Sequence, residues 1–179
     1  ISPTTIRPGI AELIANEAAL GAEGHIVLKM NSLVDAALID SLYAASQAGT
    51  RVDLIVRGIC CLRPGVPGLS ENIHVRSIVG RYLEHSRIYY FKHGAAGAPV
   101  YYIGSADLMP RNLDRRVEAL VPVEDPLLQA RLHEILDVNL EDDSLAWALG
   151  PDTTWSRVLG TDQFDTHRRF EAIALERRF

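Results

Sequence analysis

The segment 83–87 carries the strongest candidate for chemistry in this sequence, LEHSR. It places His85 two residues before Arg87 and four residues after Arg81. Two cations beside an imidazole favour a bound anion, and a protonated imidazole can donate a hydrogen bond or a proton to a phosphate oxygen. A single histidine at the start of a strand is more often structural, so both interpretations of His85 stay open at this point.

Two predicted strand ends supply further anion-binding candidates. Arg57 closes a predicted buried strand and opens a loop rich in glycine and proline at 58–72. Its planar fork suits phosphate oxygens, whereas the alternative is a salt bridge to a nearby carboxylate. The Gly104-Ser105 pair ends another predicted strand, where backbone N–H groups can approach an anion, although an ordinary β-turn is the alternative.

Hydrophobic periodicity predicts the elements that position these residues. We predict helices at 7–20, at 33–48, from Pro126 onward after an Asp125 cap, and at 162–177. The predicted strands are 26–28, 52–56, 74–79, 87–92, 99–103 and 117–123. We also predict a turn at 94–99 and an irregular segment at 142–160. Two strands joined through a helix run parallel and gather binding groups past their C-terminal ends. The predicted fold class is therefore α/β, a mixed β-sheet flanked by helices.

Composition limits the classes of function. The chain has 179 residues, is 47% hydrophobic and carries a formal charge of −5. The length predicts one domain, or one domain with a small appendage, and the charge argues against a nucleic-acid partner. The adjacent Cys60 and Cys61 predict reduced thiols, and no histidine or cysteine pair has metal-ligand spacing. No signal peptide or apolar run of about 20 residues is present, so we expect a cytoplasmic protein.

Four runs of sequence resemble one family in their order and spacing. They are KMNSLVD at 29–35, LYAAS at 42–46, IVRGICCL at 55–62 and RYLEHSR at 81–87. Together they resemble the C-terminal part of type 1 polyphosphate kinase, most strongly from Gly24 to about Pro126. The resemblance implies a helical lead-in at 1–23, a phospholipase D-like domain at 24–145, and an irregular segment with a C-terminal helix at 146–179.

The resemblance also shows where this sequence departs from phospholipase D itself. That pattern is H-x-K-x4-D, followed by G-S-x-N and N-x-E, and His85, Gly104, Ser105 and Glu118 match it. The departures are Arg87 for the lysine, Lys92 for the aspartate, Asp107 for the first asparagine and Arg116 for the second. Part of the motif is retained, but the positions listed differ from the hydrolase pattern, which argues against a working phosphodiesterase.

The resemblance implies reversible transfer of the ATP γ-phosphoryl group to inorganic polyphosphate through a phosphohistidine on a preceding domain. His85 is then the catalytic histidine of this half of the site, and Arg57 contacts the nucleotide phosphates. Arg81, Arg87 and Ser105 are weaker candidates for phosphate contacts. The implied partners are ATP or ADP, polyphosphate, the preceding catalytic domain of the same polypeptide and further copies in a homo-oligomer.

The same resemblance implies Mg2+ as the cofactor, with its ligands on the preceding domain and no metal site in this chain. Besides a cytoplasmic location, the resemblance implies association with a membrane as part of a larger assembly. The isolated chain is expected to be inactive. Two alternatives remain: a phospholipase D-like phosphodiesterase that acts as a homodimer, and a non-catalytic domain for polyphosphate or nucleotide binding or for oligomerisation.

Overall fold

A computed structural model describes residues 1–94 and 96–177 of the chain. Ala95, inside the predicted turn, and residues 178–179, at the end of the predicted last segment, lie outside the described residues. The helices are α1 (Ile6–Ala18), α2 (Ala36–Gln47), α3 (Pro126–Glu141) and α4 (Thr166–Glu176). The strands are β1 (His25–Met30), β2 (Arg51–Val56), β3 (Ile73–Ile78), β4 (Ile88–Phe91), β5 (Val100–Gly104), β6 (Leu120–Pro122), β7 (Ala146–Leu149) and β8 (Trp155–Arg157).

The strands form one mixed sheet in the order β6-β5-β4-β1-β2-β3-β7-β8. Strands β1, β2 and β3 are parallel, and the other neighbouring pairs are antiparallel. As a result, one edge of the sheet contains the ends of β1, β2, β3 and β5 and the start of β4. We call it the carboxyl edge. The predicted mixed α/β sheet and its parallel strand–helix–strand unit are confirmed.

Each face of the sheet buries a separate set of side chains, because successive residues of a strand point to opposite faces. Leu28, Leu54 and Val75 belong to the larger core, which also contains Ile14 of α1 and Leu42 of α2. The second core joins Val27, Ile55 and Tyr90 to Leu136 of α3. The sheet is therefore covered on both faces, and the ends of its strands are left as the accessible surface.

The start of α2 differs from the prediction. The helix begins at Ala36 rather than at residue 33, and the carboxylate of Asp35 caps it by accepting from Leu38 N at 3.1 Å. The backbone N–H of Leu33 instead donates to Ile59 and that of Val34 to Leu108, each at 2.8 Å. Contacts with two distant loops therefore hold these residues extended. They override the local signal for a helix.

The segment 142–160 was wrongly predicted to be irregular. It contains β7 and β8, a hairpin that adds two strands to the sheet next to β3. Strands of four and three residues are too short to show a period of two, so the sequence gives no clear signal there.

Leu128, which the helical pattern assigns to the core face of α3, is 57% exposed, whereas Leu136 is buried as that pattern predicts.

Two smaller features complete the description. No described helix has the length and apolar character needed to cross a membrane. Both cysteines are free thiols, with Cys61 exposed and Cys60 half-buried. Burial raises the pKa of Cys60 to about 11, so this thiol is unreactive at neutral pH.

Candidate active site

The sheet brings most of the predicted site residues to its carboxyl edge. Arg57 follows β2 directly, Ser105 follows β5, and Arg87 immediately precedes β4. His85 lies in the loop that joins β3 to β4, and its side chain is exposed. A fifth polar residue, Asn31, follows β1 at the same edge.

Four of these residues and Asp107, which lies two residues after Ser105, form one connected chain of contacts. We call it the edge network, and its members are Arg57, Asn31, Asp107, Arg87 and His85. Arg57 Nε donates to Asn31 Oδ1 at 3.0 Å. Asn31 donates to Asp107 through its backbone N–H at 2.7 Å and through Nδ2 at 3.3 Å. Arg87 donates to the two oxygens of Asp107 from Nε at 3.2 Å and from Nη2 at 3.0 Å.

Arg57 is the cation of this network that is open to a ligand. Asn31 holds its Nε, and no described residue accepts from its two terminal nitrogens or places a carboxylate within salt-bridge distance. The half-buried guanidinium is thus fixed at Nε, while its two terminal nitrogens have no acceptor among the described residues. The alternative of a salt bridge to a nearby carboxylate does not occur among the described residues.

Arg87, in contrast, is already engaged within the protein. Its Nη1 donates to the carbonyl oxygen of His85 at 2.9 Å and lies 3.2 and 3.3 Å from the two ring nitrogens. Because Nη1 is nearly equidistant from the two ring nitrogens of His85, the guanidinium lies against the imidazole ring and not in line with the lone pair of one nitrogen. Arg87 therefore orients His85, and its predicted contact with phosphate stays a prediction.

Asp107 is the anion that fixes this arrangement. It is 6% exposed. Burial acts to raise the pKa of its carboxyl, but hydrogen bonds from Arg87 and Asn31 outweigh burial and lower the pKa below its ordinary value. Asp107 is consequently ionised at neutral pH and neutralises Arg87, which leaves the positive charge of Arg57 uncompensated within the network.

Two departures from the phospholipase D pattern contact each other in this site. Arg87 stands for the lysine and Asp107 for the asparagine, and together they form a forked ion pair. A lysine and an asparagine amide can both donate to a phosphate, whereas this arginine and aspartate satisfy each other. Lys92, the third departure, lies beyond the opposite end of β4, where its Nζ donates to Glu23 O at 3.1 Å.

A second group of buried polar residues holds the loop that carries His85. Glu84 pairs with Lys29 of β1 at 2.8 Å and with Nε2 of His167 in α4 at 2.9 Å. The backbone N–H of Tyr82 donates to Nδ1 of His167 at 3.2 Å. Because Nδ1 accepts that hydrogen bond, the neutral ring carries its proton on Nε2 and donates it to Glu84.

The remaining two predicted residues are placed differently. Arg81 lies outside the edge network, 74% exposed, and pairs with Glu171 at 3.1 Å. Ser105 is at the edge, but its backbone N–H donates to Ala119 O at 3.1 Å and is not available to an anion. Its Oγ accepts from Ala119 N at 3.3 Å, so only the hydroxyl proton of Ser105 can reach a ligand.

Close packing between two chain segments requires glycine at position 104 in this turn. A Cβ on Gly104 would lie 2.0 Å from the carbonyl oxygen of Ala119, so only glycine allows the two chains to approach this closely. The Gly-Ser pair therefore serves the strand contact first. A phosphate contact from Ser105 stays a prediction.

Asn31 is the member of the edge network that the sequence motifs missed. Its signal is a polar residue directly after a buried parallel strand, the same signal that identified Arg57. Asp107 is visible in the sequence as a replaced asparagine, but its partner Arg87 lies 20 residues away in the chain. Pairing at that separation depends on the strand order, which local patterns do not specify.

The chain has a phospholipase D-like fold, with an internal ion pair at two positions where the phospholipase D pattern has a lysine and an asparagine. The structure of Nuc from Salmonella typhimurium, a phospholipase D family member, shares this fold: it superposes with a TM-score of 0.51 and 15% identity over 72% of this chain and 84% of that chain. Residues 1–168 match the family described as polyphosphate kinase C-terminal domain 2, and the chain belongs to that family.

Two longer proteins are similar to the chain over most of its length. Polyphosphate kinase 1 of Chlorobaculum tepidum is 56% identical over 161 residues, which is 88% of this chain and 23% of that protein. The crystal structure of polyphosphate kinase from Porphyromonas gingivalis has a TM-score of 0.89 at 37% identity, covering 96% of this chain and 27% of that chain. The chain thus spans about a quarter of the length of these relatives.

Proposed function

We propose that this chain supplies half of the active site of a polyphosphate kinase. The complete enzyme transfers the γ-phosphoryl group of ATP reversibly to polyphosphate, through a phosphohistidine on the preceding domain. Membership of the polyphosphate kinase C-terminal domain 2 family supports this assignment. The single observation that carries it is the guanidinium of Arg57, held at Nε by Asn31 at the carboxyl edge, with no acceptor for its terminal nitrogens among the described residues.

Arg57 binds the nucleotide phosphates in this proposal. A guanidinium presents parallel N–H donors that match two phosphate oxygens, and a base held by Asn31 loses less entropy when the phosphate binds. Phosphoryl transfer depends mostly on positioning and on neutralising charge. An uncompensated arginine at a strand end provides both.

His85 acts on the oxygens that gain charge during transfer. As the bond from the γ-phosphorus to its bridging oxygen breaks, the ADP oxygen becomes more negative, and a protonated imidazole can donate to it. Arg87 keeps the ring at the edge, and Asp107 keeps Arg87 in place. The nucleophilic histidine belongs to the preceding domain, so this chain positions and stabilises rather than accepts the phosphoryl group.

The magnesium implied by the family finds no fitting ligand set in the part of the chain that the structure describes. Among residues 1–94 and 96–177, no group of three or more histidine, cysteine or acidic side chains could hold a metal ion. At the carboxyl edge, Asp107 directs both carboxylate oxygens at Arg87 and Asn31. No step proposed for these residues uses the metal, and its location on the preceding domain remains part of the proposal.

The wider setting is also proposed. The substrates are ATP or ADP and inorganic polyphosphate, and the partners are the preceding domain and further copies of the enzyme. The enzyme acts in the cytoplasm, free or membrane-associated within a larger assembly. The division of the chain at residues 23 and 145 stays a prediction.

Replacing Arg57 in the full-length enzyme tests this proposal. Arg57→Ala should weaken ATP binding by at least about tenfold, because a charged hydrogen bond contributes roughly 1.5–3 kcal/mol. Arg57→Lys should recover only part of the affinity, since lysine lacks the fork. Arg51→Ala is the matched control, as this exposed arginine begins the same strand at the opposite edge. Unchanged ATP affinity in Arg57→Ala would overturn the assignment.

A further inference from the structure

A polar recess lies near the edge of the sheet opposite the carboxyl edge, away from the edge network. It has a volume of about 400 Å3. Its walls come from β2, from β3 and the residue before it, and from the end of α3, and the polar ones are Arg51, Asp53, Asn72, His74 and Arg76. No tryptophan, tyrosine or phenylalanine of the described residues lines it, so the recess suits a charged group rather than a stacked ring.

The register of two parallel strands brings these side chains together. Asp53 of β2 and His74 of β3 are paired, so they point to the same face of the sheet. Arg51 lies two residues before Asp53, and Arg76 lies two residues after His74, so both arginines share that face. The recess is bounded on its other side by Leu140, near the end of α3. Two arginines and a histidine thus surround one buried carboxylate.

The negative charge of Asp53 is neutralised inside the recess. Arg51 Nε donates to Asp53 Oδ2 at 2.7 Å, and His25 Nε2 lies 2.8 Å from the same oxygen. Burial acts to raise the pKa of this carboxyl, but hydrogen bonds from His25 and Arg51 outweigh burial and lower the pKa below its ordinary value. The ionised Asp53 and Arg51 therefore cancel each other, which leaves Arg76 as the second, uncancelled arginine.

Arg76 is a half-buried cation without an acidic partner in contact. Its Nη1 donates to the carbonyl oxygens of Asn139 at 3.1 Å and Asp142 at 3.3 Å, and no described residue accepts from its Nε or Nη2. No carboxylate of the described residues lies within salt-bridge distance, so Asp53 and Asp142 act on it only at longer range. A guanidinium stays charged, and a charge withdrawn from water is costly unless it is paired. An anion in the recess would remove that cost.

We infer that this recess is a second anion site, which holds phosphate groups of inorganic polyphosphate far from the reacting end of the chain; the identity of the anion rests on the proposed function. Arg76 supplies the charge, and His74, 65% exposed beside it, can donate a further hydrogen bond. Six residues of β2 separate Arg51 from Arg57, roughly 20 Å. A long polyphosphate can reach both sites, whereas the triphosphate of ATP and inorganic tripolyphosphate are too short.

Steady-state kinetics of the full-length enzyme test the inference through the length of the ligand. Arg76→Gln should raise the KM for long-chain polyphosphate about tenfold, because a ligand held at two linked points binds more tightly than a ligand held at one. The KM for ATP and the inhibition constant of tripolyphosphate should stay unchanged. His74→Ala alters an exposed side chain and should raise the same KM. Arg168→Gln, which removes a positive charge 86% exposed on α4, is the control.

The outcomes separate this site from the transfer site. Unchanged KM for long-chain polyphosphate in Arg76→Gln, shown to be folded by circular dichroism, would overturn the inference, and His74→Ala decides in the same way where Arg76→Gln does not fold. An equal rise in the KM for ATP would also overturn it. Loss of ATP binding in Arg57→Ala alongside either result would leave the proposed function standing and remove only the second anion site.

Discussion

At the scale of single residues, the pair of Arg87 and Asp107 determines how His85 is presented. The two side chains are 12% and 9% exposed, so the pair is largely removed from water. A buried ion pair contributes little net stability, because desolvation offsets the attraction, but it fixes geometry. We therefore assign the pair to orienting the imidazole rather than to binding substrate.

A double-mutant cycle on this pair is the first prediction at this scale. Asp107→Asn leaves Arg87 buried without its countercharge and should lower the free energy of unfolding by up to about 3 kcal/mol. Adding Arg87→Met should cost much less than the sum of the single changes, with a coupling of roughly 1–3 kcal/mol. Urea unfolding measures all four proteins. Strictly additive effects would contradict the assignment.

The lowered pKa of Asp107 sets the pH range of this coupling. An unfolded carboxyl titrates near about 3.9, so the pair stabilises the fold fully above that pH and loses the stabilisation as the pH falls through the lower folded value. The coupling should therefore be the same at pH 7 and pH 5. The more accessible pair of Arg131 and Glu134 on α3, with side chains 30% and 34% exposed, is the control, and its coupling should stay below about 1 kcal/mol.

At the scale of elements, helix α4 supports the loop that carries His85. His167 is the second residue of that helix and is 4% exposed, and it donates to Glu84, one residue before His85. Its other ring nitrogen accepts from the backbone of the same loop at Tyr82. A helix far along the chain thus fixes a catalytic loop without touching substrate.

The prediction for α4 concerns a positioning residue. His167→Ala should lower kcat in the full-length enzyme while changing the KM for ATP little, because Arg57 is untouched. Hydrogen exchange in residues 79–87 should accelerate, since Glu84 keeps only Lys29 as a partner. Arg168→Ala, the next residue on the same helix and 86% exposed, serves as the control. Unaltered exchange in the loop would show that α4 does not hold it.

The elements also show what the sequence could predict. The β1–α2–β2 unit, with Arg57 at its end, and the Asp125 cap of α3 follow from local patterns, and the structure confirms them. The contact between Arg87 and Asp107 and the β7–β8 hairpin depend on which strands become neighbours. That order is decided by packing of the whole sheet, so neither the ion pair nor the hairpin is visible in the sequence, whereas Asn31 carries the same local signal as Arg57.

At the scale of the whole molecule, the chain has a face prepared for anions despite its overall charge of −5. Arg57, Arg81 and Arg87 lie at or near the carboxyl edge, and two of them are neutralised by acidic partners. Within the edge network, the guanidinium of Arg57 has no acidic partner among the described residues, and the network also includes the exposed imidazole of His85. This arrangement suits half of a site that closes when the preceding domain brings the nucleophile.

The isolated chain gives a direct prediction of the half-site. Mixed with radiolabelled ATP and magnesium, it should form no acid-labile phosphohistidine, because the proposed reaction places the nucleophilic histidine on the preceding domain. The full-length enzyme under the same conditions is the positive control. Labelling of His85 in the isolated chain would mean that this domain carries the covalent step itself, as a phospholipase D-like homodimer would.

The central claim is that His85 acts in phosphoryl transfer, and turnover of the His85→Ala enzyme tests it most directly. The full-length variant should lose roughly 10²- to 10⁴-fold in kcat, the range for a lost general acid, while ATP binding changes by less than about threefold. His133→Ala, on the surface of α3, should keep wild-type turnover. A kcat within about threefold of wild type in His85→Ala would contradict the account.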